Sequence, residues 1–349
     1  MLEEIKKSIT EKTWKTKIPN PTLESTPSVR TMQSDYGKYL PKEILRYIET
    51  HPSEKVSYRG TTPIDYNVDF YCYGNKIPIQ RLQHQMKLVI WWLTTIQKYA
   101  HRSCADLVVS VYLTPLKKEL PSRRKIKGRE GGEKDKVLSA INCNTGLSTR
   151  CDRGNTIIVF REEEWFKVFI HESFHYFGLD FAYSQPPSVN TELRKMFCVS
   201  PDIQLYESYT EFWAEIITMI VYSNLHSDDL SIIIDTEVQH SLGQAKKVLE
   251  IQDLTYTEVL APCTATTKSY QEDTNVFAYY VIKTILLYFH EDFIQWCVDN
   301  NPNLLQINPS EVSKLVDWIA YHYKDPEFLF AIGNTKSNGN SLRMTYFNV

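Results

Sequence analysis

The segment of residues 161–180, REEEWFKVFIHESFHYFGLD, constrains the fold of this chain more than any other stretch. Within it, His171 and His175 are four positions apart, and residues at that spacing share one face of an α-helix. Their imidazoles would therefore point toward one position. Glu172, next to the first histidine, would reach a water molecule on a metal ion held by the pair. The pattern predicts a helix-borne zinc site with a general base in the same turn.

The residues around this motif favour the helix that it requires. Glu162, Glu163 and Glu164 would lie in the first turn, where negative charge is stabilising. Gly178 suits the left-handed position that often ends a helix. Just upstream, the β-branched and aromatic run of residues 156–160 predicts a strand. The alternative is a chance match, in which both histidines are core residues satisfied by ordinary hydrogen bonds.

A zinc site with an open position needs a third protein ligand, and a second predicted helix offers candidates. In residues 207–217, ESYTEFWAEII, Glu211 and Glu215 are four positions apart, and most of the other residues are apolar. Buried carboxylates are costly unless they are paired or bind a metal. One of the two is therefore predicted to be the ligand, and the other to accept a hydrogen bond from a ligand histidine. The alternative is an exposed helix face with two ordinary glutamates.

Residues 171–175, HESFH, form an HExxH motif. These motifs resemble the gluzincin metallopeptidases, in which HExxH is followed by a ligand glutamate on a later helix. Residues 210–215, TEFWAE, are similar to a segment of the anthrax lethal factor protease domain whose first glutamate binds the zinc ion. Together with residues 163–175, they also resemble uncharacterised HExxH proteins of large DNA viruses. The resemblance spans residues 66–224 and implies that Glu211 is the ligand and that Glu215 supports a ligand histidine.

The chain departs from the family pattern in the segment between His175 and Glu211. This segment is longer than in the thermolysin-like members, and it is predicted to be a loop or cover because it contains Pro186, Pro187 and Pro201. Glu192 lies nearer to the usual spacing and remains a rival third ligand, as does Glu215.

The resemblance implies an α+β fold, in which a zincin-like catalytic domain combines a twisted mixed sheet with the HExxH helix and is followed by a mainly helical C-terminal lobe. Alternation and apolar periodicity agree with this order. They predict a helix at residues 79–100 and strands at residues 66–73, 107–113, 137–143 and 156–160. In the family, the last strand before the metal helix forms the edge at which an extended substrate adds as a further strand.

Three regions are predicted along the chain: an N-terminal arm or subdomain (1–60), a zincin catalytic core (61–224) and the helical lobe (225–349). A short helix is expected at residues 42–50. In the lobe we expect helices at residues 236–252, 274–290, 292–299 and 310–323, and a docked strand at residues 341–347. The basic segment 117–136 is predicted to be a solvated loop, and a substrate-steering role is the alternative.

Composition and charge narrow the possible partners. The formal net charge is −3 over 349 residues, so no basic excess points to nucleic acid. The first residues, MLEEIKKSITEKTWK, contain no apolar signal region, and no apolar run reaches membrane-spanning length. The seven scattered cysteines lack a CxxC pair and predict free thiols in a reducing compartment. We therefore expect an intracellular protein, in the cytoplasm of a host cell or packaged in a virion, with neither a nucleic-acid partner nor a membrane span.

Together these residues predict a zinc metallopeptidase, most simply an endopeptidase, with one zinc ion per chain and a peptide or protein as substrate. His171 and His175 would bind zinc through nitrogen and Glu211 through oxygen, which leaves one position for water. Zinc lowers the pKa of such a water toward about 7. Glu172 would accept the proton as the water attacks the carbonyl, and would then pass it to the leaving amine.

A phenol near the zinc ion would stabilise the oxyanion, and the candidates are Tyr206, Tyr209, Tyr279 and Tyr280. Tyr206 and Tyr209 are favoured because they precede the predicted ligand glutamate. Two other functions fit the same motif. A non-catalytic zincin-fold protein of a virion or host interface would keep the site only for stability, but structural zinc sites usually have four protein ligands and need no base such as Glu172. A carboxypeptidase or deconjugase acting on one protein end would use the same residues as an endopeptidase.

Overall fold

The structure, a computed structural model, describes residues 17–26, 39–74, 78–99, 104–121, 136–260, 263–264 and 267–349. Its strands form one mixed sheet of six: β1 (Thr22–Thr26), β2 (Ser53–Gly60), β3 (Asp65–Cys72), β4 (Asp106–Leu113), β5 (Gly146–Ser148) and β6 (Thr156–Val159). Their spatial order is β1-β2-β3-β4-β6-β5. The central strands β3, β4 and β6 are parallel, and β2 and β5 lie antiparallel on either side of them. The chain is therefore α+β.

Two helices cover opposite faces of this sheet. Helix α1 (Lys42–Thr50) precedes β2, and helix α2 (Ile79–Ile96) makes the crossover that the parallel pair of β3 and β4 requires. Adjacent strand residues point to opposite faces, so they fall into different apolar clusters. Ile157 packs in the large core that contains α2, whereas its neighbour Ile158 packs in the small cluster that contains Ile44 of α1. The predicted helix at residues 42–50 is confirmed.

The rest of the described chain is mainly helical. Its helices are α3 (Ala140–Cys143), α4 (Trp165–Phe177), α5 (Pro187–Met196), α6 (Leu205–His226), α7 (Leu230–Glu250), α8 (Tyr256–Val259), α9 (Lys283–Tyr288), α10 (His290–Asn300), α11 (Val312–His322) and α12 (Pro326–Asn334). A π-helical turn, Phe277–Ile282, leads into α9, and 3-10 turns lie at Gln97–Tyr99 and Pro309–Glu311. Among the residues that the structure describes, no helix is long and apolar enough to cross a membrane.

Helix α4, which carries the HExxH motif, is buried almost all around. Every residue of Trp165–Phe177 except His175 is buried. The helix begins after Glu164, whose φ of 59° is left-handed, and ends at Gly178, whose φ is 68°. Glycine fits there because it reaches the left-handed region without a Cβ clash. The predicted helix is confirmed, although Glu162, Glu163 and Glu164 precede its first turn rather than form it.

Strands β3, β4 and β6 and helix α2 confirm four elements predicted from the sequence. The strand predicted at residues 137–143 is wrong. Ser139 and Asn142 form a capping box there, which starts the short helix α3, and the extended residues follow in β5. The four helices predicted in the C-terminal lobe correspond to α7, to the π-helical turn with α9, to α10 and to α11.

Two terminal parts of the chain differ from the expectation. Strands β1 and β2 lie within residues 1–60 and extend the central sheet. Strand β2 pairs with β3, and β1 pairs with β2, both antiparallel. The docked strand expected at residues 341–347 is reduced to an isolated bridge between Ser341 and Glu119. Side-chain hydrogen bonds rather than a β-ladder hold most of that segment, as described below.

Two disulfides join four cysteines that were predicted to be free thiols. The pairs are Cys104–Cys151 and Cys198–Cys263. The prediction of seven free thiols is therefore wrong, and its cause is the long separation of the partners, 47 and 65 residues, which leaves no local spacing pattern.

The basic segment predicted at residues 117–136 lies largely outside the described residues. One of its lysines that the structure does describe, Lys118, is fully buried and forms an ion pair with Glu164. This lysine is therefore part of the core and not of a solvated loop.

Candidate metal centre

Two imidazoles and one carboxylate converge where α4 packs on α6. Nε2 of His171 lies 3.1 Å from Nε2 of His175 and 3.1 Å from Oε2 of Glu207. Nε2 of His175 lies 3.3 Å from the same oxygen. His171 and Glu207 are buried and His175 is partly exposed, so one edge of the group is open. These three residues form a group that could hold a metal ion.

The spacing of the three atoms suits a small cation. Zinc bonds to imidazole nitrogen and carboxylate oxygen are about 2.0–2.2 Å long, so the edges of a tetrahedral site measure roughly 3.3–3.5 Å. Two of the observed edges, both 3.1 Å, are slightly shorter, and the third, 3.3 Å, matches the lower end of that range. A small outward movement of the side chains would therefore accommodate the ion, and three protein donors leave a fourth corner open.

The outer nitrogens of both imidazoles face carboxylates. Nδ1 of His171 lies 2.8 Å from Oε2 of Glu211, and Nδ1 of His175 contacts Asp180. A carboxylate beside Nδ1 favours the tautomer with its proton there, which leaves the lone pair on Nε2. Lone pairs of two imidazoles and of Glu207 then face one another, an arrangement that favours positive charge between them, as a proton or a metal ion.

The electrostatics of the site point in the same direction. Burial lowers the pKa of His175, but the carboxylates of Asp180 and Glu207 outweigh it and raise that pKa well above its usual value. Burial also disfavours ionised Glu207, yet the two imidazoles hold its pKa at about 2. Its second oxygen accepts a hydrogen bond from Nδ2 of Asn275 at 3.0 Å. Glu207 is therefore an ionised carboxylate whose Oε2 is held close to both imidazoles.

Glu211, the predicted third ligand, does not join this group. Its Oε1 accepts a hydrogen bond from Lys167, and its Oε2 faces Nδ1 of His171. The rival candidate Glu192 is exposed on α5 and pairs with Lys195 at 2.6 Å. The carboxylate beside the two imidazoles is thus neither of these two, and sequence reasoning missed it.

The three glutamates of α6 occupy successive levels, because four residues rise about 6 Å along a helix. Glu207 contacts the imidazole of His171, and Glu211, one turn later on α6, contacts Lys167, one turn earlier on α4. The two helices therefore run in opposite directions. Glu215, predicted to support a ligand histidine, instead accepts from Nζ of Lys283 at 2.8 and 2.9 Å. The sequence did hold a signal, since a lysine within the apolar α4 needs a buried carboxylate.

The predicted base Glu172 lies against the edge strand β5. Ser148 donates a hydrogen bond to its Oε2 at 2.7 Å. A Cβ on Gly146 would lie 2.6 Å from Cγ1 of Val168 and 3.0 Å from Cγ of Glu172, so only glycine lets the strand approach α4 this closely. Burial raises the pKa of Glu172, and the imidazoles of the site oppose that rise.

Two tyrosine rings stand beside the imidazoles. The ring centroid of Tyr206 is 5.9 Å from that of His175, and the centroid of Tyr279 is 5.9 Å from that of His171. Tyr209, the other predicted phenol, is fully buried and donates to a backbone carbonyl at 3.2 Å. Its hydroxyl is therefore hydrogen-bonded inside the core, and the second tyrosine ring beside the imidazoles is that of Tyr279.

An open cavity of about 330 Å³ is lined by two neighbours of the centre: Tyr206, which stands beside His175, and Asn275, which holds Glu207. The three donor residues are not part of its lining. A smaller cavity of about 30 Å³ is lined by His171 and Glu172 themselves.

The chain matches no protein-family model, no curated protein and no solved structure. The geometry of these residues is consequently the basis of the functional argument.

Proposed function

We propose that the chain is a zinc metallopeptidase in which His171, His175 and Glu207 hold the ion and Glu172 is the general base. The convergence of three donor atoms within 3.3 Å of one another, with a carboxylate on the adjoining residue, carries the proposal. Imidazole and carboxylate donors suit zinc, and three protein ligands are typical of its catalytic rather than structural sites. Bound zinc would polarise the peptide carbonyl and make a bound water more acidic.

Two observations support Glu172 as the proton acceptor. The hydrogen bond from Ser148 to Oε2 fixes the direction of its carboxylate, and burial raises its pKa and so makes it a better proton acceptor. It would accept the proton of the attacking water, hold it and deliver it to the leaving amine. The phenols of Tyr206 and Tyr279 are the donors that would stabilise negative charge on the former carbonyl oxygen.

Strand β5 supports a peptide as the substrate. It occupies the sheet edge at which the family pattern places the last strand before the metal helix, whereas that strand, β6, is paired on both sides. Within the described residues β5 pairs with β6 on one side, and its residue Ser148 contacts the proposed base. An extended peptide adding to the other side would gain main-chain hydrogen bonds and lie along Glu172. A mixed sheet whose edge strand passes over an HExxH helix is similar to the zincin arrangement that the sequence resembles, and it favours an endopeptidase.

The disulfides bear on where such an enzyme would work. Cys104–Cys151 and Cys198–Cys263 favour an oxidising setting over the reducing cytosol. We propose that the protein acts outside the cytosol, or after packaging in a virion, rather than as a cytoplasmic enzyme.

The first experiment measures metal content by elemental analysis after dialysis against a weak chelator. The wild-type chain should retain one equivalent of zinc, and His175→Ala should retain none because two donors hold zinc poorly. A folded wild-type chain without any metal would contradict the proposal.

The second experiment measures hydrolysis of a peptide library by the zinc-loaded chain. Glu172→Gln should keep the metal and lose about 10²–10⁴-fold in kcat/KM, the usual contribution of a general base. Undiminished turnover in that variant would remove Glu172 from the mechanism. Full metal occupancy without cleavage of any peptide would favour the non-catalytic zincin-fold function instead.

A further inference from the structure

Three lysine–glutamate pairs are buried in the core around the candidate metal centre. Each of their side chains is 2% exposed or less, and the pairs are Lys118–Glu164, Lys167–Glu211 and Lys283–Glu215. Removing a charge from water costs several kcal/mol, and well-packed apolar residues often replace such pairs without loss of stability. Stability alone therefore does not account for them.

The pair Lys167–Glu211 differs from the other two because it touches a proposed metal ligand. Glu211 uses one oxygen for Lys167 and places the other 2.8 Å from Nδ1 of His171. Lys167 and His171 are one turn apart on α4. The ammonium group thus fixes the direction of the carboxylate, and the other carboxylate oxygen faces Nδ1 of the ring.

We propose that Lys167 is a positioning residue that raises metal affinity by holding Glu211 against His171. The inference rests on the metal site of the proposed function. Nζ of Lys167 contacts Glu211 and Sδ of Met344, so its effect on the imidazole passes through the carboxylate. Partners of this kind fix the tautomer and orientation of a ligand histidine, and their loss typically weakens metal binding about 10–100-fold.

The same lysine connects the centre to the segment that contains Met344 and Thr345. Nζ of Lys167 lies 3.5 Å from Sδ of Met344, which also lines a small cavity beside the centre. The next residue, Thr345, donates from its backbone to Glu164 at 2.6 Å and from its hydroxyl to Glu237 at 2.8 Å. Packing of this segment therefore encloses Lys167 within the core.

Lys283 offers a matched control for Lys167. It is equally buried, and it donates to both oxygens of Glu215, which lies four residues after Glu211 on α6. The contacts of this pair that the structure describes do not include the imidazoles. Replacing either lysine with methionine leaves a buried carboxylate unpaired, so both changes should lower the free energy of unfolding.

The test compares Zn²⁺ affinity in the full chain for wild type, Lys167→Met and Lys283→Met, by competition with a chromophoric chelator. Lys167→Met should bind Zn²⁺ about 10–100-fold more weakly, and Lys283→Met should bind it like the wild type. Equal affinities of the two variants would overturn the inference and leave the metal site intact. A wild type that binds no Zn²⁺ would overturn the proposed function and the inference together.

A double-mutant cycle separates positioning from general destabilisation. If Lys167 acts through Glu211, the double variant Lys167→Met/Glu211→Gln binds Zn²⁺ no more weakly than Glu211→Gln alone. Additive losses would overturn the inference. Co²⁺ loading supplies a spectroscopic readout, since the visible bands should change in Lys167→Met and not in Lys283→Met. If Lys167→Met fails to fold, the Zn²⁺ affinities of Glu211→Gln and Glu215→Gln are compared instead, because glutamine keeps the shape of the glutamate side chain.

Discussion

Helix α6 presents buried carboxylates to its neighbours at successive levels, and the partners differ between them. At Glu211 and Glu215 the partner is the ammonium group of a buried lysine. At Glu207 the partners are the imidazoles of His171 and His175, together with the amide of Asn275. Glu211 and Glu215 are thus each paired with a positively charged group, whereas Glu207 contacts only groups that can be neutral.

This difference distinguishes the two lysine-paired carboxylates from the proposed metal ligand. Lysine ammonium groups already pair with Glu211 and Glu215, which makes these carboxylates less available to a metal ion. An imidazole can release its proton and offer a lone pair, so Glu207 and the two rings can together hold a cation. Glu172 extends the comparison, because its partner is the uncharged hydroxyl of Ser148 and it therefore remains a base.

Glutamine substitutions at Glu207, Glu211 and Glu215 test this difference most directly. Glu207→Gln should cause the largest loss of Zn²⁺ affinity, because a charged ligand is removed. Glu211→Gln should weaken binding about 10–100-fold through His171. Glu215→Gln should leave affinity unchanged. Chelator competition on the three folded variants gives the ranking.

The opposite ranking would decide between the structure and the sequence pattern. If Glu211→Gln abolished Zn²⁺ binding while Glu207→Gln retained it, the third ligand would be the one that the sequence motif predicts. The levels of α4 and α6 would then be offset by one turn from those described above.

The helix that carries the motif could be predicted from sequence because its geometry is local. His171, Glu172 and His175 share one helix, and spacing along that helix sets their directions. The choice among Glu207, Glu211 and Glu215 could not be predicted, because all share the same four-residue spacing and the choice depends on the offset between two packed helices. Long-range packing sets that offset, and local pattern carries no information about it.

The same physical limit explains the other differences. The strong β-branched run of β4 was predicted, whereas β5 has three residues and is too short to show alternation. The partners in the disulfide Cys198–Cys263 are 65 residues apart and meet only through the fold. Short strands, disulfide pairs and helix offsets all depend on contacts that single-chain periodicity does not encode.

A second prediction concerns Glu237, a fully buried carboxylate that hydrogen-bonds the segment of Thr345. Burial raises its pKa to about 7, although Lys283 and the donors of Thr345 and Tyr346 oppose the rise. The folded chain therefore binds a proton that the unfolded chain has already released, between the ordinary value of 4.5 and about 7. Stability from this group is full below that window and is lost as the pH rises through it.

Chemical unfolding across that pH window measures the effect. The wild type should lose free energy of unfolding as the pH rises, and Glu237→Gln, which stays neutral, should lose less. Parallel pH profiles for the two chains would show that Glu237 keeps the same pKa when the chain unfolds, and would contradict the prediction.

The smallest expected effect is at Ser148, whose hydroxyl orients the proposed base. Ser148→Ala should leave zinc content unchanged and lower kcat/KM about fivefold, the equivalent of losing roughly 1 kcal/mol of hydrogen bonding. Ser173→Ala is the matched control, because that hydroxyl lies within the same motif but donates to the backbone of Phe169. Similar rates for the two variants would mean that Glu172 needs no neutral partner to orient it. A loss at Ser148 as large as that of Glu172→Gln would instead mean that the hydroxyl takes part in proton transfer, and the uncharged partner of the base would then be as essential as the base itself.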